Sequence, residues 1–284
     1  MRMENQDESR NVEDVRASGF RPIHGVGLGS VLLALVVGWI FGVNPLEILG
    51  LMSGTSSDQG APSASVGQTP PADDAQAKFA SQVLRSTEVV WGHVFEEMGR
   101  TYEEPKLVLF RDAYPTACGV GQAAMGPFYC PNDRQVYLDL SFFDLMTQEL
   151  GAPGQFAHAY VVGHEVGHHV QNLLGLLDQS TGGRAERGAS GNSVRVELQA
   201  DCFAGVWANR SQQEQGWRLE PGDIESALNA ASRIGDDFLQ RQSQGRVVPD
   251  TFTHGTSAQR VTWFTRGFQT GRIEACDTFH ANQL

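Results

Sequence analysis

The apolar residues along the chain follow two different spacings, and each spacing predicts its own kind of element. Residues 74–99 place apolar side chains at three- and four-residue intervals, which predicts an amphipathic helix that ends near Gly99. The apolar run KLVLF (106–110) predicts a short buried strand. The segments PFYC (127–130) and QVYLDLSFF (135–143) predict two further strands, so we expect a small sheet in this part of the chain.

Helical spacing dominates the residues that follow. One helix is predicted around FFDLMTQEL (142–150), and a longer helix begins near Gln155 after a GAPG break and ends at Gly175. Beyond a polar, glycine-rich loop, helical patterns cover 193–211, 221–242 and the end of the chain. The predicted class is therefore α+β: a mainly helical domain with a small sheet placed before the long helix.

One segment near the N-terminus shows neither spacing. Residues 23–43 are mostly apolar, with His24 as their only ionisable side chain, and about 20 apolar residues can cross a bilayer as a helix. Arg16 and Arg21 lie just before this segment, so the positive-inside rule would keep the N-terminus in the cytoplasm. We therefore predict one transmembrane anchor in the cytoplasmic (inner) membrane and an extracytoplasmic main domain. A cleaved signal peptide is the alternative, but the stretch is long for one and begins late.

Composition divides the chain into four parts around this predicted anchor. Residues 1–22 are polar and mixed in charge, which predicts a loose cytoplasmic tail. Residues 44–76 include a run rich in Ser, Gly, Pro and Ala, which predicts a flexible linker. The folded domain is expected over 77–284. The formal net charge of -12 argues against nucleic acid as a partner, because its phosphates would be repelled.

The four cysteines are consistent with a domain outside the cytoplasm, where an even number favours disulfides. Cys118 and Cys130 flank a short glycine-rich segment suited to a cross-linked hairpin, and Cys202 and Cys276 remain as a possible second pair. Sequence alone leaves all three connectivities open. A zinc site made of all four cysteines is the rival interpretation, and the lack of a C-x-x-C pair argues against it.

The strongest chemical signal is YVVGHEVGHHVQNLLG (160–175), where three histidines and one glutamate interrupt an apolar helix. Buried polar groups need partners, and one divalent cation could partner several of them. His164 and His168 are four residues apart and so lie one turn apart on one helix face, which lets two imidazoles bind one zinc ion. Glu165 could accept a proton from water that zinc acidifies, as in the H-E-x-x-H arrangement. We predict one Zn²⁺ per chain.

The next helix carries a candidate third ligand. Glu197 would complete a set of two histidines and one glutamate that leaves one position for water. Asp201 lies one turn later and could accept the N–H of a ligating histidine. The alternative is that Glu197 and Asp201 belong to a solvated helix face. His158 and His169 are rotated away from the ligand face, so we expect them to be packing or surface residues.

Several segments together resemble a known family. The chain looks like the YpfJ-like neutral zinc metallopeptidases in GHEVGHHVQ, ELQADCFAGVW, ACGVGQAAMGPFYCP, VYLDLSFF and HGTSAQRVTWFTRGF. The resemblance covers nearly the whole chain. That family is similar in its active-site pattern to gluzincins, especially membrane-linked HtpX-like peptidases with H-E-x-x-H and a later E-x-x-A-D. The resemblance implies a zincin-like catalytic domain with the ligands, base and supporting aspartate assigned above.

The same resemblance implies two further site residues and a mode of substrate binding. His254 and Arg260 resemble the late His…Arg pair of HtpX-like enzymes, in which the histidine would stabilise an oxyanion and the arginine would hold carboxylates. Alternatively, His254 starts a helix that Ser257 caps and Arg260 lies on a surface. Zincins hold substrate along an edge strand, which here would place Tyr137 and its neighbours in the cleft. An ordinary strand pair in the core is the alternative for Tyr137.

These features predict a membrane-anchored zinc metallopeptidase that hydrolyses peptide bonds in a peptide or protein outside the cytoplasmic membrane, with the bilayer as its second partner. One alternative is a zinc-stabilised envelope binding or assembly factor with little turnover. Glu165 argues against that alternative, because a structural zinc site needs no base and usually has four protein ligands. Another is a zinc hydrolase that acts on non-peptide amides.

Overall fold

The structure is a computed structural model, and it describes residues 1, 6–18, 68–122, 126–177, 188–215 and 217–284 of the chain. A compact unit is formed by Met1–Ala17 together with Gly67–Leu284. The linker predicted over 44–76 and the anchor predicted over 23–43 fall mostly or wholly outside the described residues.

Strands and helices of the described residues together make an α+β fold that is mainly helical, as predicted. The strands are β1 (Val12–Asp14), β2 (Lys106–Phe110), β3 (Ala113–Thr116), β4 (Gly119–Gln122), β5 (Phe128–Cys130) and β6 (Gln135–Asp139). The α-helices are α1 (Ala75–Glu97), α2 (Ser141–Gln148), α3 (Gln155–Leu174), α4 (Asn192–Glu214), α5 (Asp223–Arg233), α6 (Asp236–Gln244) and α7 (Ser257–Thr270). Short 3-10 turns lie at Arg16–Ser18, Pro249–Thr251 and Ile273–Cys276.

The main sheet has the strand order β1-β2-β6-β5. The first three strands are parallel, and β5 runs antiparallel to β6 at the edge. Side chains alternate across a strand, and in the central strands the side chains of both faces are buried. One face packs on the helical core through Leu107, Leu109, Val136 and Leu138. The opposite face forms a smaller cluster beside the β3–β4 hairpin through Val108, Phe110 and Tyr137.

The first strand lies in residues that we predicted to be a loose tail. Val12–Asp14 pairs in parallel with Leu107–Leu109 of β2. Asp14 and Gln68 exchange two backbone hydrogen bonds of 2.8 and 3.1 Å, so the chain leaves the sheet edge and returns to the same point. A single membrane crossing between Asp14 and Gln68 would place β1 and β2 on opposite sides of a bilayer, which their hydrogen bonds do not permit.

The predicted transmembrane helix and the predicted inner-membrane location are therefore wrong. Within the part of the chain that the structure describes, no helix combines the length and the apolar character that a membrane span requires. The long helices fail for a physical reason: α3, for example, carries Glu165 and four histidines, which would be costly in hydrocarbon. These helices bury their apolar faces against one another instead.

Two glycines allow α3 and α4 to cross at close range. A Cβ atom on Gly167 would lie 2.9 Å from the backbone oxygen of Ala200, so any larger residue would push the two backbones apart. A Cβ atom on Gly163 would lie 2.8 Å from the Trp207 ring. The close approach at Gly167 brings Glu197, which lies one turn before Ala200, to the metal-binding face of α3.

The segment 221–242, predicted as one helix, is broken into α5 and α6. The break falls at Gly235, where a Cβ atom would lie 2.5 Å from the backbone nitrogen of Ser257. Asp237 accepts a hydrogen bond of 2.7 Å from that same nitrogen. The helix breaks at Gly235 because the loop before α7 packs directly against this glycine. The carboxylates of Asp236 and Asp237 then accept hydrogen bonds from the backbone of that loop.

The cysteines form two disulfides, which exclude a zinc site made of four cysteines. Cys118 pairs with Cys130, and Cys202 pairs with Cys276. The first bond ties the β3–β4 hairpin to β5. The second ties α4 to the last 3-10 turn and closes a loop with a sequence separation of 74. We expected a hairpin between Cys118 and Cys130. The observed hairpin is instead formed by β3 and β4, which lie on either side of Cys118.

Candidate active site

Three side chains from two helices converge on one point. His164 and His168 of α3 and Glu197 of α4 each offer a ligand atom, and these atoms lie within 4.8 Å of one another. His164 Nε2 lies 3.2 Å from Glu197 Oε2, and His168 Nε2 lies 3.5 Å from Glu197 Oε1. Ligand atoms about 2.0–2.2 Å from a tetrahedral zinc ion lie roughly 3.3–3.6 Å apart. The structure thus brings together the three residues that the sequence singled out, and its two imidazole–carboxylate distances are close to the spacing of zinc ligands.

A buried carboxylate fixes the ring of His164. Asp201 Oδ1 lies 2.8 Å from His164 Nδ1, and a carboxylate only accepts, so Nδ1 carries a proton and Nε2 is the nitrogen that can bind a cation. Arg260 donates from Nε and Nη2 to the two oxygens of Asp201, each at 2.9 Å. The Tyr160 hydroxyl donates to Asp201 Oδ1 at 2.5 Å. Arg260 is 2% exposed, so it does not lie on a surface.

The second histidine is held in the same tautomer by a neutral residue. His168 Nδ1 lies 2.8 Å from Gln171 Oε1. The Gln171 amide can present only its oxygen to His168, because its Nε2 donates to Val196 O at 2.8 Å and to Gln199 Oε1 at 3.0 Å. His168 Nδ1 is therefore a donor, and Nε2 is the nitrogen that faces Glu197 and can bind a cation.

The sequence interpretation missed Tyr160 and Gln171. Tyr160 precedes His164 by one turn of α3, and Gln171 follows His168 by three residues, so helical spacing offered a signal for both. Gln171 bonds the side of the His168 ring opposite the cation position, and Tyr160 bonds the carboxylate of Asp201 that holds His164.

The charges around the ligands favour a cation. Burial lowers the pKa of His164, but the carboxylates of Asp201 and Glu197 outweigh it and raise that pKa to about 10. Burial raises the pKa of Glu197, but His168 and His164 outweigh it and hold that pKa well below its ordinary value. Burial also opposes ionisation of Asp201, yet Arg260 and His164 lower its pKa to about 2. The pocket therefore attracts a positive charge, and a metal ion would replace the protons on the imidazoles.

Glu165 points into the same cleft without joining the three ligand atoms. Its side chain is buried, with 8% of the residue exposed, and burial raises the pKa of its carboxyl group. The imidazoles of His164 and His168 act in the opposite direction. A carboxylate with a raised pKa is a stronger proton acceptor, which is the property a general base requires.

The cleft around these groups has a volume of about 480 Å³. Residues 126–129, at and just before the start of the edge strand, border it. Apolar side chains from α2, α3, α6 and the adjoining turns form an apolar wall made of Phe142, Leu145, Leu150, Val161, Ile234 and Leu239. Tyr137, predicted as a lining residue, lies on the opposite face of the sheet, where its ring stacks on Phe128 at 4.9 Å.

His254 lines the cleft as well and is held by a carboxylate of α6. Its Nδ1 lies 3.3 Å from Asp236 Oδ1 and 2.9 Å from Thr253 Oγ1. Asp236 Oδ2 also accepts the backbone N–H groups of Thr253, His254 and Gly255 at 2.7, 2.6 and 3.1 Å. The hydrogen bond to Asp236 raises the pKa of His254, against the opposing effect of burial. The helix cap in this region is Thr256, not Ser257.

The two remaining histidines of α3 lie outside the ligand set. His158 stacks on Phe143 with ring centroids 4.4 Å apart, and burial lowers its pKa. His169 is fully buried and contacts Tyr129 and the Glu103 backbone, and its burial lowers its pKa to about 4. Both pack against protein and are absent from the cleft lining.

Comparison with known proteins decides the family. Residues 1–279 match the family model described as "Putative neutral zinc metallopeptidase". The chain belongs to this family. It is 51% identical to the Escherichia coli (strain K12) protein YpfJ over 289 residues, which cover 98% of this chain and 99% of that protein. It is 42% identical to the Mycobacterium bovis protein Mb2605 over 257 residues, 86% of each chain.

The resemblance to YpfJ-like proteins is thus confirmed over almost the whole chain. No solved structure matches the chain. Membership of the neutral zinc metallopeptidase family implies zinc as the metal, in agreement with a donor set of two imidazoles and one carboxylate.

Proposed function

We propose that the chain is a zinc-dependent peptidase that hydrolyses peptide bonds in the cleft beside α3. The observation that carries this proposal is the convergence of His164, His168 and Glu197 next to the buried carboxylate of Glu165. Three protein ligands with a neighbouring base are typical of catalytic zinc sites, whereas structural zinc sites usually have four protein ligands and need no base.

In this proposal the chain's own groups position the reactants and move the proton. A zinc ion held by the three ligands would polarise the scissile carbonyl and make water more acidic. Glu165 accepts a proton from the attacking water as its oxygen bonds to the carbonyl carbon. The same carboxyl group then gives that proton to the amide nitrogen, the C–N bond breaks, and an acid and an amine are released.

His254 would stabilise the oxyanion that forms on the carbonyl oxygen. Because the carboxylate of Asp236 accepts from Nδ1, a protonated ring keeps Nε2–H free to donate into the cleft. Asp201 stays behind the ligands, and Arg260, although part of the cleft lining, keeps its guanidinium bonded to Asp201.

The walls of the cleft support an extended peptide with an apolar side chain near the scissile bond. The edge strand β5 offers backbone groups to which a peptide could add as a further strand. The apolar wall of the cleft includes Leu145, which is 37% exposed. Binding sites for organic ligands are lined mostly by apolar side chains, so this wall favours an apolar substrate side chain.

A cleavage assay with the full chain tests the proposal. The purified protein, with its zinc content measured, is incubated with a mixture of peptides whose products are identified by mass spectrometry. We expect cleavage by the wild type, none by Glu165→Gln with zinc retained, and full cleavage by the control Glu225→Gln, which alters an exposed glutamate of α5. Zinc-loaded protein that cleaves no peptide would contradict the proposal and favour a binding factor.

A further inference from the structure

The strand that borders the cleft is fastened to the metal-bearing helix by one tyrosine. The hydroxyl oxygen of Tyr129 in β5 lies 3.0 Å from His169 Nδ1 and 2.8 Å from Asn172 Nδ2. Both partners belong to α3, and neither is one of the three ligand residues. Tyr129 also lines the cleft, so this contact joins the proposed substrate-binding edge to the helix that carries the ligands.

The direction of each hydrogen bond follows from a backbone carbonyl. His169 Nε2 lies 2.6 Å from the oxygen of Glu103, and a carbonyl can only accept, so Nε2 carries a proton. His169 is 0% exposed, and a buried ring between a carbonyl and a hydroxyl is neutral. Its Nδ1 is then an acceptor, to which the Tyr129 hydroxyl donates. The Asn172 amide in turn donates to the tyrosine oxygen.

The proton of the Tyr129 hydroxyl is therefore committed away from the reaction centre. Although Tyr129 borders the cleft, its hydroxyl is not the group that donates to a developing oxyanion, and His254 is left for that role. The contact does something else: it fixes the distance between β5 and α3, because a tyrosine ring is rigid and its hydroxyl is bonded on two sides.

The neighbours of Tyr129 in the strand are also fixed. The Phe128 ring stacks on Tyr137 and packs so tightly on Gly121 that a Cβ atom there would lie 2.3 Å from it. Cys130 is held by its disulfide to Cys118. Every residue of β5 is thus attached to a different part of the fold, which is the behaviour expected of a rigid template.

We propose that Tyr129, His169 and Asn172 form a clamp that positions β5 so that a long peptide lies in register with the metal centre. These are positioning residues, and the inference rests on the proposed peptidase function. A peptide long enough to pair with β5 depends on the clamp, whereas a short substrate that only reaches the metal centre does not.

The test compares two substrates of the full-length, zinc-loaded protein: a long peptide and a short blocked dipeptide with the same scissile bond. For Tyr129→Phe we expect kcat/KM on the long peptide to fall about tenfold, mainly through a higher KM, with the dipeptide unaffected. Asn172→Ala should act in the same direction with a smaller loss. Tyr114→Phe, which removes a hydroxyl from the hairpin outside the cleft, should behave as wild type on both substrates.

The outcomes separate this inference from the proposed function. A loss confined to the long peptide, with zinc content and dipeptide cleavage unchanged, supports the clamp. An equal loss on both substrates, or a loss on neither, overturns the clamp while Glu165-dependent cleavage by the wild type still stands. If the wild type shows no Glu165-dependent cleavage of either substrate, the proposed function falls and the clamp falls with it.

Discussion

His164 Nδ1 lies 2.8 Å from Asp201 Oδ1, and both side chains are buried. This single contact decides which nitrogen of His164 can bind a cation. The carboxylate of Asp201 is also the counter-charge of the Arg260 guanidinium, so Asp201 supports both the metal site and the core.

Replacing Asp201 with Asn should weaken zinc binding and folding together. The variant keeps the shape of the side chain but removes the charge that orients His164 and balances Arg260. We expect zinc affinity to fall about 10–100-fold and the free energy of unfolding to fall by about 3 kcal/mol, because a buried guanidinium loses its partner. Competition with a chromophoric chelator and thermal unfolding measure the two effects. The control is Asp144→Asn at an exposed position of α2; unchanged zinc affinity in Asp201→Asn would contradict the assigned role.

Replacing Gln171 with Met should weaken zinc binding through the other histidine. Met has a similar volume but cannot accept the proton of His168 Nδ1, so the ring loses the bond that fixes its tautomer. We expect a loss of zinc affinity of about tenfold. NMR of the imidazole nitrogens should show the Nδ1–H tautomer of His168 in the wild type and a mixture in the variant. Gln76→Met on the exposed side of α1 is the control, and an unaltered tautomer in Gln171→Met would refute the argument.

The sequence predicted the ligands because their spacing is local. His164, Glu165 and His168 lie within one turn of one helix, and Glu197 and Asp201 repeat the i, i+4 spacing on the next. The supporting contacts could not be predicted in this way, because they depend on how helices cross. Gln171 is oriented by a carbonyl on α4, across the crossing that Gly167 permits.

The same distinction between local spacing and tertiary contacts explains the errors in the predicted fold. β1 has three residues, two of them acidic, so no apolar pattern marks it; it is a strand because β2 offers an open parallel edge. The break between α5 and α6 was missed because helical periodicity continues through Ile234, while the packing of Gly235 against Ser257 is tertiary. Apolar length alone predicted the anchor at 23–43, and that pattern takes no account of the pairing of β1 with β2.

Replacing Asp236 with Ala should lower kcat, because His254 loses the carboxylate that holds it. Asp236→Ala deletes the carboxylate that holds both the imidazole and three backbone N–H groups of its loop. We expect kcat to fall about 10–100-fold with zinc content unchanged, somewhat less than the roughly 100–1000-fold expected for His254→Ala. Because the two residues act as a unit, the double variant should be no slower than His254→Ala alone. Additive losses would show that Asp236 has a separate role.

Replacing Leu145 with Lys should change which peptides are cleaved. The apolar wall of the cleft would gain a cation, so peptides with a large apolar residue beside the scissile bond should lose about tenfold in kcat/KM relative to peptides with an acidic residue there. Profiling of cleavage products from a peptide library measures this ratio. Met98→Lys is a matched control, because Met98 is similarly exposed, at 36%, and lies outside the cleft lining. An unchanged profile in Leu145→Lys would exclude contact between this wall and the substrate.

Removing Arg16 should loosen β1, and the effect should vanish in acid. Arg16 donates to Asp14 at 2.9 and 2.6 Å and to Asp74, the N-cap of α1, at 2.7 Å. Its hydrogen bond lowers the pKa of Asp14, against burial, and the bonds from Ala77 and Arg16 outweigh burial to lower that of Asp74. Carboxylates with depressed pKa values stabilise the fold above their unfolded pKa of about 3.9 and lose that effect as the pH falls through the folded values.

Arg16→Ala should therefore lower the free energy of unfolding by about 1–2 kcal/mol at neutral pH. The difference from wild type should shrink steadily below about pH 4, where the carboxyl groups become protonated. Hydrogen exchange at Val12–Asp14 should be faster in the variant at neutral pH, whereas Arg272→Ala, which removes an exposed arginine paired with Glu274, should leave it unchanged. If the difference persisted in strong acid, Arg16 would be holding β1 by the packing of its aliphatic stem, and the ion pairs would not be what attaches the N-terminal strand to the sheet.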